Sequence, residues 1–202
     1  MYWEIVAQAF WIILPAYIAN ASAVLVGGGT PIDFGKKYKD GKRILGDGKT
    51  WNGLVIGGLI GVIGGLALAN AAPIINQVLL ENNVDTLTLT NFGDFPSMIL
   101  ITASVAYGAL FGDITESFFK RRRSIKRGED WIPFDQIDFI LGVLFLSFVM
   151  SGFLDLINLT DGNWFFNILK LEHIAFLLVV TPFFHLISNY LHKRIKAYNS
   201  RK

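Results

Sequence analysis

Five mostly apolar stretches, each roughly 20 residues long, alternate with short polar loops, and this alternation decides the fold class before any single residue does. They fall at about residues 3–26, 52–75, 96–119, 137–157 and 172–192. A helix satisfies its own backbone groups in a bilayer and needs roughly 20 apolar residues to cross it. The chain is therefore expected to be an all-α polytopic membrane protein, with five transmembrane helices in a single domain over residues 1–202. Mean hydropathy of +0.46 agrees. So does a charged fraction of 17%, against roughly 25% in soluble domains. Residues 1–26 lack a basic leader and are long enough to span, which argues against a cleaved signal.

Of the 18 Lys and Arg, all but Lys170 lie in loop 27–51, in loop 120–136 or in the tail after residue 192. Cations concentrate on the cytoplasmic side of membrane proteins. Both loops and the C-terminus are expected there, with the N-terminus outside and the chain in the cell membrane. Net charge is only +2, so no nucleic-acid partner is indicated. With no cysteine there is no disulfide or thiolate metal site, and three scattered His do not make a His-rich one.

In the second span Gly57, Gly61, Gly65 and Ala69 recur every fourth residue and line one helix face. Small residues there admit a close neighbour, either within the chain or as a second copy in a homodimer. Loop 27–51 contains GDGKT at Gly46–Thr50, but a P-loop needs Gly where Arg43 stands. The loop still combines permissive glycines, cations, three acids (Asp33, Asp40, Asp47) and the adjoining Trp51. A phosphate cradle and a solvated connector with turns at Asp40-Gly41 and Asp47-Gly48 fit this pattern equally. Thr86–Asn91 alternates like a strand but is short, and reads as a turn or small hairpin. Asn20, Ser22, Asp155 and His185 fit bonding between helices or interfacial positions, and no role is assigned to them.

The third span ends in GDITESFFKRRR (Gly112–Arg123), which puts Asp113, Glu116, Ser117 and Lys120 on one helical face. The next span opens IPFDQIDF, with Asp135 and Asp138 again one turn apart. Helices joined by a short loop are neighbours, so four carboxylates converge near one membrane surface. Like charges one turn apart are unfavourable unless cations intervene. Carboxylate oxygens are the ligands Mg²⁺ takes, with phosphates completing its shell. Interfacial ion pairs with the loop cations are the plainer reading. Asp113 lies within reach of the hydrocarbon, however, and an ionisable residue there points to function.

Ser104, Gly112-Asp113, Glu116-Ser117, Lys120-Arg121, Lys126, Pro133, Asp135 and Asp138 together resemble the signature of the CTP:phosphatidate cytidylyltransferase family. After Pro133 the sequence departs from the Gly-His-Gly-Gly run of the bacterial and eukaryotic members. That departure, the span count and the PIDFG…GDGKTW loop are similar to the archaeal, CDP-archaeol synthase branch. The resemblance implies an enzyme that joins CTP to an unsaturated isoprenoid ether lipid phosphate, with Mg²⁺ and release of pyrophosphate. It implies Asp113, Asp135 and Asp138 as metal ligands, with Glu116 as a fourth or supporting one. Ser117, Lys120, Arg121 and Lys126 would meet phosphates, and Asp47, Lys49, Thr50 and Trp51 the nucleotide. Acyl-chain phosphatidate is the alternative lipid. A cation transporter or channel fits less well, because the acids gather at one interface and no inverted repeat appears. A scaffold packing through its glycines leaves the acids unexplained.

Overall fold

The computed structural model describes residues 2–125, 129 and 131–183. Its helices are α1 (Tyr2–Leu25), α2 (Gly58–Glu81), α3 (Ser97–Arg122), α4 (Phe134–Leu156), the short α5 (Trp164–Ile168) and α6 (Leu171–Phe183). A single π-helical turn at Gly53–Gly57 leads into α2. Four of these helical segments are long and apolar enough to cross a membrane. The fifth expected span, 172–192, begins as the shorter apolar α6, and its remainder lies outside the described residues. Among the described residues there is no strand, only isolated bridges at Pro31–Thr50 and Lys37–Arg43.

The glycine row of α2 is filled from within the chain. A methyl group at Gly57 would lie 2.7 Å from Ala23 Cα, and one at Gly61 2.6 Å from Ala19 Cβ. Gly65 faces Thr102 and Pro15. That face, packed on α1 and α3, has no room for a second copy, so a homodimer cannot form through it. The closest helix pair is α3 with α4, and again glycine sets the distance. A methyl group at Gly108 would lie 2.8 Å from the Gly142 carbonyl oxygen, and one at Gly112 would collide with the Asp138 carbonyl. This contact presses the end of α3 that carries Asp113 and Glu116 onto the start of α4 that carries Asp138. Ile13, Val105, Ala109, Ile140, Val143 and Leu177 form a buried core joining α1, α3, α4 and α6.

Thr86–Asn91, expected as a turn or hairpin, is an irregular extended segment at the end of the bundle away from the basic loops. Its alternation is real, because Leu87 and Leu89 are buried. Its partner is a side chain, not a strand. The Asn76 amide accepts from Leu89 N–H at 2.8 Å and donates to Leu89 C=O at 2.9 Å.

Candidate active site at the basic end of the bundle

One carboxylate organises loop 27–52. Asp33 is buried and accepts from the N–H groups of Gly35 (3.1 Å), Leu45 (2.9 Å) and Gly46 (3.0 Å), and from Arg43 Nη2 (2.8 Å) and Nε (3.2 Å). Burial alone would raise the Asp33 carboxyl, but Arg43 and the three backbone donors outweigh it and hold it well below the usual carboxylate range. Hydrogen bonds to Asp33 and then Asp47 raise the Arg43 guanidinium in turn. Gly46 turns with φ +95°, a conformation glycine adopts without strain, and so presents its N–H to Asp33. The Asp40-Gly41 turn forms as expected, with Gly41 N–H bonded to Tyr38 O at 2.9 Å. The loop closes on itself where Ile32 N–H donates to Lys49 O (2.8 Å) and Trp51 N–H to Thr30 O (3.1 Å).

Arg122 then fastens this loop to the last turn of α3. It donates to the carbonyls of Arg43 and Lys42 and lies over the rings of Tyr38 (4.8 Å) and Phe118 (4.9 Å). Lys42 Nζ answers from the other side, donating to Arg122 O (2.9 Å) and Ser124 Oγ (2.6 Å). The result is a fixed placement of Lys49, whose Nζ reaches Asp113 Oδ2 at 2.5 Å.

Carboxylate oxygens of Asp113, Glu116 and Asp138 all lie within 4.8 Å of one another. Asp135 stands outside that trio. Its Oδ2 accepts from Lys120 Nζ (2.8 Å) and from Trp131 N–H (2.9 Å). Lys120 also sits 3.0 Å from Glu116 Oε1, yet that buried oxygen makes no hydrogen bond, nor does Asp135 Oδ1. Three oxygen donors this close, with an unsatisfied oxygen among their side chains, fit a hard divalent cation.

The other expected residues fall around this centre. Thr50 is buried, and its Oγ1 accepts from Gly53 N–H at 3.2 Å, where the chain enters α2. Ser117 is buried in α3, and Ser104 donates to Ile101 O at 2.7 Å. Trp51 is 42% exposed, with its ring 6.3 Å from that of Phe34. Asp47 is exposed and pairs with Arg43 at 2.8 Å. Arg121 has a buried Nε with no hydrogen-bond partner and lies beside Gly46. Lys126 lies outside the described residues. Asp33 and Arg122 were not singled out from the sequence. The one local signal for Asp33 is the Asp-Phe-Gly turn, in which its side chain takes the Gly35 N–H.

Two depressions meet at the carboxylates. A groove of about 770 Å³ between α3 and α4 is walled by Phe111, Phe119, Phe134, Leu141 and Phe145 and reaches Glu116 and Asp138. A smaller crevice between α1, α2 and α3 contains Asn20, Lys49, Thr50 and Asp113.

A helical bundle with clustered carboxylates and cations at one end, beside an apolar groove, describes a multi-pass membrane protein with an enzyme's polar site. The comparisons with known proteins give that class a family. Residues 2–199 match the family described as "CarS-like: CDP-archaeol synthase". The CDP-archaeol synthase of Thermococcus onnurineus is 41% identical over 182 residues, covering 90% of this chain and 88% of its own. That of Archaeoglobus fulgidus is 38% identical and covers 95% of both. A solved intramembrane enzyme for archaeal membrane lipid biosynthesis superposes with a TM-score of 0.65 at 32% identity, covering 91% of this chain and 94% of the other. The chain belongs to the CDP-archaeol synthase family of cytidylyltransferases.

Proposed function

We propose that the chain transfers the cytidylyl group of CTP to the phosphate of 2,3-bis-O-(geranylgeranyl)-sn-glycerol 1-phosphate and releases pyrophosphate. In a chain of this family, the observation that carries the reading is the carboxylate trio at the head of the α3–α4 groove. The groove offers aromatic and aliphatic walls to isoprenoid tails that stay in the bilayer. The polar head then lies beside loop 27–52, which delivers Lys49. The basic end faces the cytoplasm, where CTP is, and the N-terminus lies outside.

The lipid phosphate is already an anionic nucleophile, so no general base is required. Its oxygen attacks the α-phosphorus, the bond to the bridging oxygen of the β-phosphate breaks, and pyrophosphate leaves. The barrier is largely the approach of two anions, and fixed positive charge lowers it. Lys49 and Lys120 supply that charge beside the acids, and Arg121 supplies it from the loop side. Asp113, Glu116 and Asp138 are the residues that would hold Mg²⁺, with Asp135 behind them orienting Lys120. Bound there, the ion would neutralise charge on the phosphate oxygens.

The test is direct. Purified protein incubated with labelled CTP, Mg²⁺ and the isoprenoid glycerol phosphate should yield a labelled lipid. Label that stays in the aqueous phase would overturn the proposal.

A further inference from the structure

Asn20 lies in the last two turns of α1 and is half-buried. Among the described residues its side chain has no hydrogen-bond or ion-pair partner. An amide in a membrane-spanning helix is costly unless something satisfies it, because hydrocarbon offers no donor or acceptor. Other polar side chains of the spans do find partners. Thr102 bonds back to Met98 O at 2.8 Å, Ser147 to Val143 O at 2.6 Å, and Asn70 to Leu66 O at 2.7 Å. Asn20 instead faces the crevice that it shares with Lys49, Thr50 and Asp113.

We propose that Asn20 is a substrate-contact residue whose amide hydrogen-bonds the pyrimidine base of the nucleotide. This rests on the reading of the site as one that binds CTP. Three observations point to the base and not to a phosphate. The crevice is small, about 80 Å³, with room for the edge of one ring and none for a triphosphate. Its other walls include the apolar side chains of Val24, Leu54 and Leu110. Its one cation, Lys49, is already paired with Asp113. Apolar walls with a few placed polar groups are how proteins hold a heterocycle. An amide carries a donor and an acceptor side by side, which complements the amino group and ring nitrogen on the edge of cytosine.

The experiment uses the full chain in detergent and the variant Asn20→Ala. Without nucleotide its melting temperature should equal or exceed that of the parent, since the lost amide has no protein partner. The KM for CTP should rise about tenfold, the loss of one or two hydrogen bonds to a ligand. Inhibition by inorganic tripolyphosphate, which has no base, should not change. Parallel weakening of CTP and tripolyphosphate would make Asn20 a phosphate contact and overturn the proposal. An unchanged KM would overturn it too. If Asn20→Ala does not fold, Asn20→Gln, which displaces the amide by one methylene, reads the same pair of constants. Absence of cytidylyl transfer by the parent protein would remove the CTP reading itself, whatever Asn20 does.

Discussion

The two ends of this bundle handle buried polarity in opposite ways. At the end away from the basic loops, Trp11 Nε1 donates to Thr90 O (2.9 Å), Gln8 Nε2 to Thr88 O (3.0 Å), and His173 Nε2 meets Gln8 Oε1 (3.0 Å). Gln8 gives its N–H₂ to Thr88, so its oxygen faces His173, and the imidazole must donate from Nε2. Its Nδ1 is then free to accept from Lys170 N–H at 3.2 Å, at the start of α6. The buried atoms left unbonded at this end among the described residues are a hydroxyl (Thr160) and an indole N–H (Trp164), both uncharged. At the basic end they belong to charged groups: Glu116, Asp135, Arg121 and Arg122. Neutral, locally closed networks hold helices together. Unsatisfied charge is tolerated where a ligand completes it, so the second end is where chemistry belongs.

Neutralising the trio should separate the two ends most sharply. Asp113→Asn, Glu116→Gln and Asp138→Asn should each cost several kcal/mol of transition-state stabilisation, a hundredfold or more in turnover at saturating Mg²⁺. Thermal stability should stay level or rise, because each substitution relieves repulsion among carboxylates. Chelation should abolish parent activity until Mg²⁺ returns. Near-normal turnover in all three variants would reduce the trio to interfacial ion pairing.

Asp33 sharpens the comparison, because it is a closed network at the chemical end. Asp33→Ala would strand Arg43 and three backbone N–H groups, a loss on the order of 3 kcal/mol. The expected result is rapid proteolysis within loop 27–52 and loss of activity, with the helices intact by circular dichroism. The carboxyl is held below its ordinary value of about 4. Its contribution to stability is therefore complete above that pH and fades only as pH falls through the lower folded value. A loop that loosened between pH 5 and 8 would contradict this assignment.

The spans were legible in the sequence because hydrocarbon imposes one length and one composition. The pairing of Gly57, Gly61 and Gly65 with α1 and α3 was half legible. Spacing gave the face, but an internal neighbour and a second copy ask for the same small residues. The closer Gly108–Gly112–Gly142 contact went unread, because glycines on two separate spans carry no shared period. Within the site, the i, i+3 pairs gave the four acids, but not that Asp135 turns to Lys120 while Asp113, Glu116 and Asp138 gather. That division depends on the rotation of α4 against α3, which packing sets and local spacing does not. Asp33 was indistinguishable from Asp40 and Asp47 because all three sit beside turns. Only the tertiary path of the loop buries one and leaves the others wet.

The opposite end predicts the converse phenotype. Trp11→Phe keeps the ring but leaves the Thr90 carbonyl without its donor. The melting temperature should fall by an amount equivalent to roughly 1–2 kcal/mol, with kcat and the KM for CTP unchanged. A fall in kcat larger than the loss of folded protein would show that the ends are coupled, and the contrast drawn above would fail.

The smallest effect tests Trp51, where the two ends are hardest to tell apart. Its ring is 42% exposed and that of Phe34 61%, side by side on the loop at the membrane border. Tryptophan favours that border for its own sake, as an amphipathic anchor. An anchor and a nucleotide contact predict different losses. If Trp51 only anchors the loop, Trp51→Phe, which keeps much of the apolar ring, should nearly restore what Trp51→Ala loses, and the loss should be in lipid-dependent turnover. If it stacks on the nucleotide, Trp51→Ala should raise the KM for CTP a few-fold to tenfold, about 1 kcal/mol, with the melting temperature within about a degree of the parent. The structure favours the second outcome, because the Trp51 backbone is already fixed by its bond to Thr30 O and the ring bears no visible share of the fold. A normal KM for CTP in a stable Trp51→Ala protein would move this residue out of the site and into the membrane border.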